Sequence, residues 1–154
     1  MEVEIKKLGN EDIEQFKELI RVFENVFEME NFTMVPDSHL QQLLQKKEFM
    51  VFIALSENQV VGGLTAYTLQ QYYSTSSLVY VYDLAVKNEL QRKGIGKKLM
   101  QAITAYCKKN GIREVFVQAD AADDYALDFY RSTGARAEKV VHFTYPLNTR
   151  AIGF

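Results

Sequence analysis

Residues Leu78–Gly96, LVYVYDLAVKNELQRKGIG, carry a nearly continuous apolar run into a basic, glycine-bearing turn. The run Leu78–Val86 holds one charge, Asp83, and reads as a central strand covered on both faces. Beyond it, Arg92, Lys93, Lys97 and Lys98 crowd around Gly94 and Gly96. A helix follows over Gly94–Asn110, with Ile95, Leu99, Ala102, Ile103 and Tyr106 on one face and Gly111 as a left-handed stop. A helix N-terminus offers unpaired N–H groups and the positive end of a dipole, and glycine lets an anion approach the backbone without meeting a Cβ. The stretch thus has room for a pyrophosphate; the plainer alternative is a solvated basic turn that only starts a helix. Leu99 and Met100 stand where a further glycine would be needed, so neither G-x-x-x-x-G-K-[ST] nor G-x-G-x-x-G is matched. Readings as a nucleoside triphosphate or dinucleotide site weaken accordingly.

Upstream of this stretch, Val3, Ile5 and Leu8 suggest a first strand. Asn10 is placed to cap a helix whose apolar positions Ile13, Phe16, Leu19, Ile20, Phe23 and Phe27 recur at helical spacing. Pro36, Asp37 and Ser38 open a short second helix with Leu40, Leu43 and Leu44 as its stripe, Asp37 or Ser38 capping it. Phe49–Leu55 and Val60–Leu69 are rich in β-branched and aromatic residues, with Ser56–Gln59 as a hairpin turn, and Gln70–Ser77 is a polar loop. Downstream, Val115–Val117 forms a strand, and Asp123 or Asp124 caps a helix through Ala126, Leu127 and Tyr130 that Gly134 ends. Val140–Tyr145 reads as a last strand. The order β, α, α, β, β, β, α, β, α, β predicts an α/β fold with a mixed sheet and helices on both faces.

The chain has 154 residues, and at ~150 residues per domain it reads as one domain over 1–154. Nine Tyr, ten Phe and only two Pro describe a globular composition with no linker or repeat. A net charge of −2 leaves no overall positive field to recruit nucleic acid or an anionic membrane. One cysteine, Cys107, excludes an intramolecular disulfide, and with two distant histidines it gives no metal-ligand spacing. No apolar run reaches the ~18 residues of a membrane span, and Glu2 and Glu4 stand near the start. A cytoplasmic, unexported protein with no metal is expected.

Gln91-Arg92-Lys93-Gly94-Ile95-Gly96, following Asp83-Leu84-Ala85-Val86, resembles the [QR]-x-x-G-x-[GA] acyl-CoA motif of the Gcn5-related N-acetyltransferases (GNAT). Ala126, Tyr130 and Gly134 resemble the family's A-x-x-x-Y-x-x-x-G helix, and the two elements stand in the family's order and separation. Within that family, Tyr80–Val86, Val117–Asp120, Asp123-Asp124 and Val141-His142-Phe143 look like segments of the aminoglycoside 3-N-acetyltransferases of the gentamicin-resistance type. The chain departs from the pattern at Asp123, where many relatives carry Asn, and at Ala121-Ala122 and Tyr125, where the subgroup has Tyr-Gly and Pro.

The resemblance implies a GNAT-like, mixed and mostly antiparallel sheet, with acetyl-CoA (coenzyme A) as cofactor and direct acetyl transfer to a polycationic small-molecule amine. It points to the 3-amino group of an aminoglycoside and to antibiotic resistance as the task. Another cationic amine, such as a polyamine, a peptide or a protein amine, is the alternative acceptor, and a non-catalytic acyl-CoA sensor the alternative class. Cofactor contacts fall by resemblance on Leu84, Ala85, Val86, Gln91, Arg92, Lys93, Gly94, Ile95, Gly96, Lys97 and Tyr130. A homodimer is compatible with the family, and the apolar tail Ala151-Ile152-Gly153-Phe154 offers an interface.

An amine attacks only when neutral, so a proton must leave the ammonium. Asp83, the charge inside an apolar strand, is a candidate base; the bland alternative is an acceptor satisfied by backbone amides at a bulge. Tyr130 stands where the family places the donor to the departing thiolate, against a plain core tyrosine. Tyr80 and Tyr82 share a strand face; they pack the core, the plainer reading, or wall the acceptor site, to which Tyr82 and Asp83 are assigned. Asp120, Asp123 and Asp124, with Asp128 nearby, are opposite in sign to the basic turn and suit a polycation, although Asp123 and Asp124 also fit as helix caps. Cys107 lies about 20 Å along the helix from Gly94 at ~1.5 Å per residue, which favours a buried structural thiol over a nucleophile. His39 and His142 receive no role.

Overall fold

The computed structural model describes residues 1–148, which fall into two compact units, 1–119 and 120–148. The expected tail contact at 151–154 lies outside the described residues.

In the first unit, β1 (Glu4–Lys7) is followed by α1 (Ile13–Val26) and α2 (Asp37–Gln45). Then come β2 (Phe49–Ser56), β3 (Gln59–Leu69), β4 (Leu78–Val86), a short 3₁₀ turn over Asn88–Leu90, α3 (Ile95–Lys109) and β5 (Glu114–Val117). The sheet order is β1-β2-β3-β4-β5, antiparallel throughout except for the parallel pair β4 and β5, so it is mixed. Antiparallel neighbours need only tight turns: Glu57 and Asn58 take positive φ (51° and 61°) to join β2 to β3. The parallel pair needs a crossover, and α3 supplies it.

Helices cover both faces. Phe49, Val51 and Ile53 share a core with Phe16, Leu19 and Val22 of α1 and Leu40 of α2. Neighbouring Phe52 points the other way and meets Tyr106 of α3 edge-on at 5.9 Å. Leu19 is fully buried, and truncating it to Ala costs about 2–5 kcal/mol. A Cβ on Gly63 would come within 2.6 Å of both a Leu19 methyl and the Phe52 carbonyl oxygen, so glycine is what lets α1 seat this close to the sheet.

Helix starts differ from the sequence reading. The residue preceding α1 is Asp12, not Asn10, and its carboxylate accepts from the Gly9 N–H (2.7 Å) and Lys6 (3.2 Å) instead of from the helix. These contacts, the Gly9 N–H foremost, hold the Asp12 carboxyl below its ordinary pKa. Pro36 precedes α2, and neither Asp37 nor Ser38 acts as its cap.

In the second unit, α4 (Asp124–Ser132) is capped by Asp123, whose Oδ1 accepts from Ala126 N–H at 3.0 Å. The strand expected over Val140–Tyr145 does not form: these residues have no regular structure and are exposed. A strand exists through backbone hydrogen bonds to a neighbour, and no ladder partner pairs with 140–145 among the described residues. No helix among the described residues is long and apolar enough to cross a membrane, and they hold no cluster of metal-binding side chains.

Candidate active site

Two features of β4 set the site. The first is where its parallel neighbour ends: β5 pairs with β4 over Leu78–Val81, and from Tyr82 to Val86 β4 pairs, among the described residues, with β3 alone. Lys87 N–H donates to Val61 O (2.9 Å), so alternation in the antiparallel ladder turns the peptide groups of Ala85 toward β3 and those of Leu84 and Val86 away from it. Gln91 confirms the direction, its Nε2 donating to Val86 O at 3.1 Å. Leu84 N–H and C=O and Val86 N–H thus line an open edge.

That edge runs into the turn before α3. Arg92 (φ 63°) and Gly94 (φ 84°) both adopt left-handed backbone, which reverses the chain sharply enough to bring α3 back over the sheet. Gly94 is required by its φ, since a Cβ there would meet nothing within 4 Å. Gln91 braces the turn with a second bond to Asn88 Oδ1 (3.2 Å), and Ile95, buried at 2% exposure, locks the first turn of the helix to the core. Gly94 has no side chain to cap α3, and the first intrahelical bond is Lys98 N–H to Gly94 O (3.0 Å). The N–H groups of Ile95, Gly96 and Lys97 are therefore free of intrahelical acceptors, and Lys93, Lys97 and Lys98, all exposed, adjoin them in the chain. Such an arrangement, fixed amides with cations adjoining in sequence, suits an anion.

The second feature is a bulge. Thr65 opposes Asp83 while Ala66 opposes Val81, which makes Tyr82 an extra residue in β4. An uninterrupted strand would put Asp83 on the face opposite Tyr82; the bulge resets the alternation. Tyr80 and Tyr82 contact each other at 5.9 Å, Tyr82 meets Tyr67 at 5.8 Å, and Ala85 returns to the same core cluster that Tyr67 joins. Asp83 falls beside these rings: burial first, then the Tyr82 and Asp83 groups, push the Tyr67 and Tyr80 phenols up. The Asp83 carboxyl is itself half-buried, raised by desolvation, and without an ion pair or hydrogen bond among the described residues. The backbone-satisfied alternative therefore does not hold.

Tyr82 is 57% exposed, so packing does not describe it, whereas Tyr80 is half-buried, stacked on Phe116 (4.9 Å) and donating its hydroxyl to Gln118 Oε1 (3.2 Å). The sequence reading missed Tyr67 and Phe116, which only cross-strand register brings to Tyr80 and Tyr82. Cys107 is buried at 2% exposure with its thiol raised by burial, an inert core group.

Tyr130, Asp120, Asp123 and Asp124 belong to the second unit. Asp123 is engaged as the cap, Asp120 Oδ1 accepts from Ala122 N–H (2.8 Å), and Asp124 is exposed in the first turn of α4. Tyr130 is half-buried with its ring edge-on to Phe129 at 4.9 Å. His39 and His142 are exposed.

The chain is similar to a solved aminoglycoside acetyltransferase from an uncultured soil metagenomic sample, determined in complex with sisomicin and with trehalose: 54% identity, TM-score 0.93, covering 95% of this chain and 97% of that one. It is 27% identical over 121 residues to aminoglycoside N(6')-acetyltransferase type 1 of Stenotrophomonas maltophilia, spanning 79% of that protein. It is also 29% identical over 96 residues to the chloroplastic GCN5-related N-acetyltransferase 4 of Arabidopsis thaliana, of whose length the match spans 33%. The model of the acetyltransferase (GNAT) family matches residues 13–135, from α1 past the end of α4. The chain belongs to the GNAT acetyltransferase family, whose acyl donor is acetyl-CoA.

Proposed function

We propose that this chain, acting as one acyltransferase domain over 1–154 in the cytoplasm, transfers the acetyl group of acetyl-CoA to an amine of an aminoglycoside by direct attack. The observation that carries the acceptor side is Asp83, a half-buried carboxylate at a bulge beside an open tyrosine ring, with no ion pair among the described residues: a polycationic amine supplies it with a counter-charge. The sisomicin complex of the 54%-identical soil protein supports the same acceptor class.

The residues present fit the donor. The amides of Ile95, Gly96 and Lys97, the open space at Gly94, and Gln91, Arg92 and Lys93 suit a diphosphate; the free edge at Leu84 and Val86, beside Ala85, suits an amide-bearing arm. When bound, acetyl-CoA supplies an acetyl group activated as a thioester. Asp83 accepts the proton that the acceptor ammonium loses, its raised pKa bringing it nearer the range useful to a base. Tyr82 walls the acceptor; Asp120, Asp123 and Asp124 are assigned to a polycationic acceptor from their charge and the family resemblance alone. From the family resemblance alone, Tyr130 Oη is assigned the proton given to the departing sulfur.

The 3-amino group is the position we assign, from the segments shared with the gentamicin-resistance type. Mass spectrometry and NMR of gentamicin-type compounds after incubation with acetyl-CoA test both levels. One acetyl at the 3-amino group is expected; one at the 6'-amino group overturns the regiochemistry alone. Transfer to spermidine or a peptide but to no aminoglycoside overturns the acceptor class, and coenzyme A binding without transfer to any amine makes the chain a sensor.

A further inference from the structure

The rings around Asp83 form a more definite object than an acidic patch. Tyr82 stands perpendicular to Tyr67 (5.8 Å, 86°) and to Tyr80 (5.9 Å, 85°), so two flanking rings meet a third at right angles. Each flank is anchored from behind, Tyr67 by Phe49 at 5.1 Å and Tyr80 by Phe116 and Gln118. The ring cluster is thus held in place before a guest arrives, which removes much of the ordering cost of binding. Two cations of the chain sit on rings elsewhere, Lys7 over Tyr106 and Arg21 over Phe32.

Ring faces are electronegative and Asp83 adds a full charge, so the cluster attracts a cation whether or not that cation carries N–H donors. A primary ammonium would hydrogen-bond to Asp83 as well; an ion whose positive charge is spread over methyl groups needs only the ring faces and the field. Resting on the reading of this bulge as the amine end of the site, we propose that Tyr67, Tyr80, Tyr82 and Asp83 form a receptor for alkylammonium ions in general, so that quaternary ammonium ions, which have no N–H to exchange for an acetyl group, occupy it in place of the acceptor.

The test uses tetramethylammonium chloride on the full chain with coenzyme A present, with sodium chloride at equal ionic strength and neutral tert-butanol as controls. Saturation-transfer NMR should carry magnetisation from the protein to the ammonium methyls but not to tert-butanol. In wild-type turnover, tetramethylammonium should compete with the acceptor and not with acetyl-CoA. Tyr82→Leu should weaken its binding about tenfold, a cation–π-sized loss, and Tyr82→Phe, which keeps the ring face, should stay within about twofold. Unfolding curves matching the wild type establish that both variants fold. Absent transfer, transfer equal to that of tert-butanol, or an unchanged affinity in Tyr82→Leu overturns the proposal. Tetramethylammonium binding with no amine acetylated would instead overturn the proposed function, and aminoglycoside acetylation with no tetramethylammonium binding would overturn the alkylammonium receptor alone.

Discussion

The segment Tyr82–Val86 of β4 is about 13 Å long at ~3.3 Å per residue, and its two ends present opposite charge by opposite means. At the α3 end the positive field comes from backbone: free amides, a left-handed Gly94 and a helix dipole, with lysines adjoining in the chain. At the bulge the negative field comes from side chains, one half-buried carboxylate among tyrosine rings. Backbone groups cannot be neutralised by titration or swung aside, so the first end is fixed over the whole pH range. The second end depends on one proton at Asp83 and on ring orientation. A donor of constant charge suits the former, and an acceptor that must lose a proton suits the latter.

If the ends are separable, variants should split them cleanly. Gly94→Asp strains a left-handed position and puts a carboxylate next to the free amides; KM for acetyl-CoA should rise about 100-fold or more while tetramethylammonium binding at the bulge is unchanged. At the other end, Asp83→Asn should lower kcat/KM for the acceptor about 100-fold, the size of a lost general base, and leave coenzyme A affinity within about twofold.

Asp83→Asn also carries a stability signature. Burial raises the Asp83 carboxyl above its ordinary 3.8, so the folded chain holds this proton to higher pH than the unfolded chain does. Its contribution to unfolding free energy therefore falls as pH rises from the ordinary value through the folded one. Asp83→Asn should raise Tm at pH 7, and the gain should vanish at acid pH where both carry no charge. Asp12 has the opposite sign: its pKa is lowered, chiefly by the Gly9 N–H, so the stability it adds is present at neutral pH and lost as pH falls through the folded value. Asp12→Asn should lower Tm at pH 7. Thermal melts across pH read both, and matching signs would contradict the distinction between a structural and a functional carboxylate.

Smaller effects sharpen the picture. Tyr130→Phe should cut kcat at least ~10-fold with little change in KM for acetyl-CoA, because a departing thiolate exists only along the reaction path. Asp123→Ala removes a cap from α4 and should cost about 1 kcal/mol of stability, whereas Asp124→Asn, which leaves the cap in place, should raise only the acceptor KM.

The anion end was legible in the sequence because it is local: the residues that build the turn lie within Val86 to Lys97, and the apolar face of α3 follows directly. The β2–β3 hairpin and the Asp123 cap were legible for the same reason. The amine end was half legible. Asp83 stood out as a charge in an apolar run, but simple alternation puts it on the face opposite Tyr82, and only the extra residue against β3 brings them together with Tyr67. The alternating apolar residues Val141, Phe143 and Tyr145 suit a strand, yet a strand needs a neighbour, and no local pattern supplies one.

Calorimetric titration of coenzyme A into the wild type, Asp83→Asn and Gly94→Asp tests the separation of the two ends most directly. The account predicts one-site binding of equal affinity in the first two and a loss of about 100-fold or more in the third. Heat unchanged in Gly94→Asp, or an equal loss in Asp83→Asn, would contradict it.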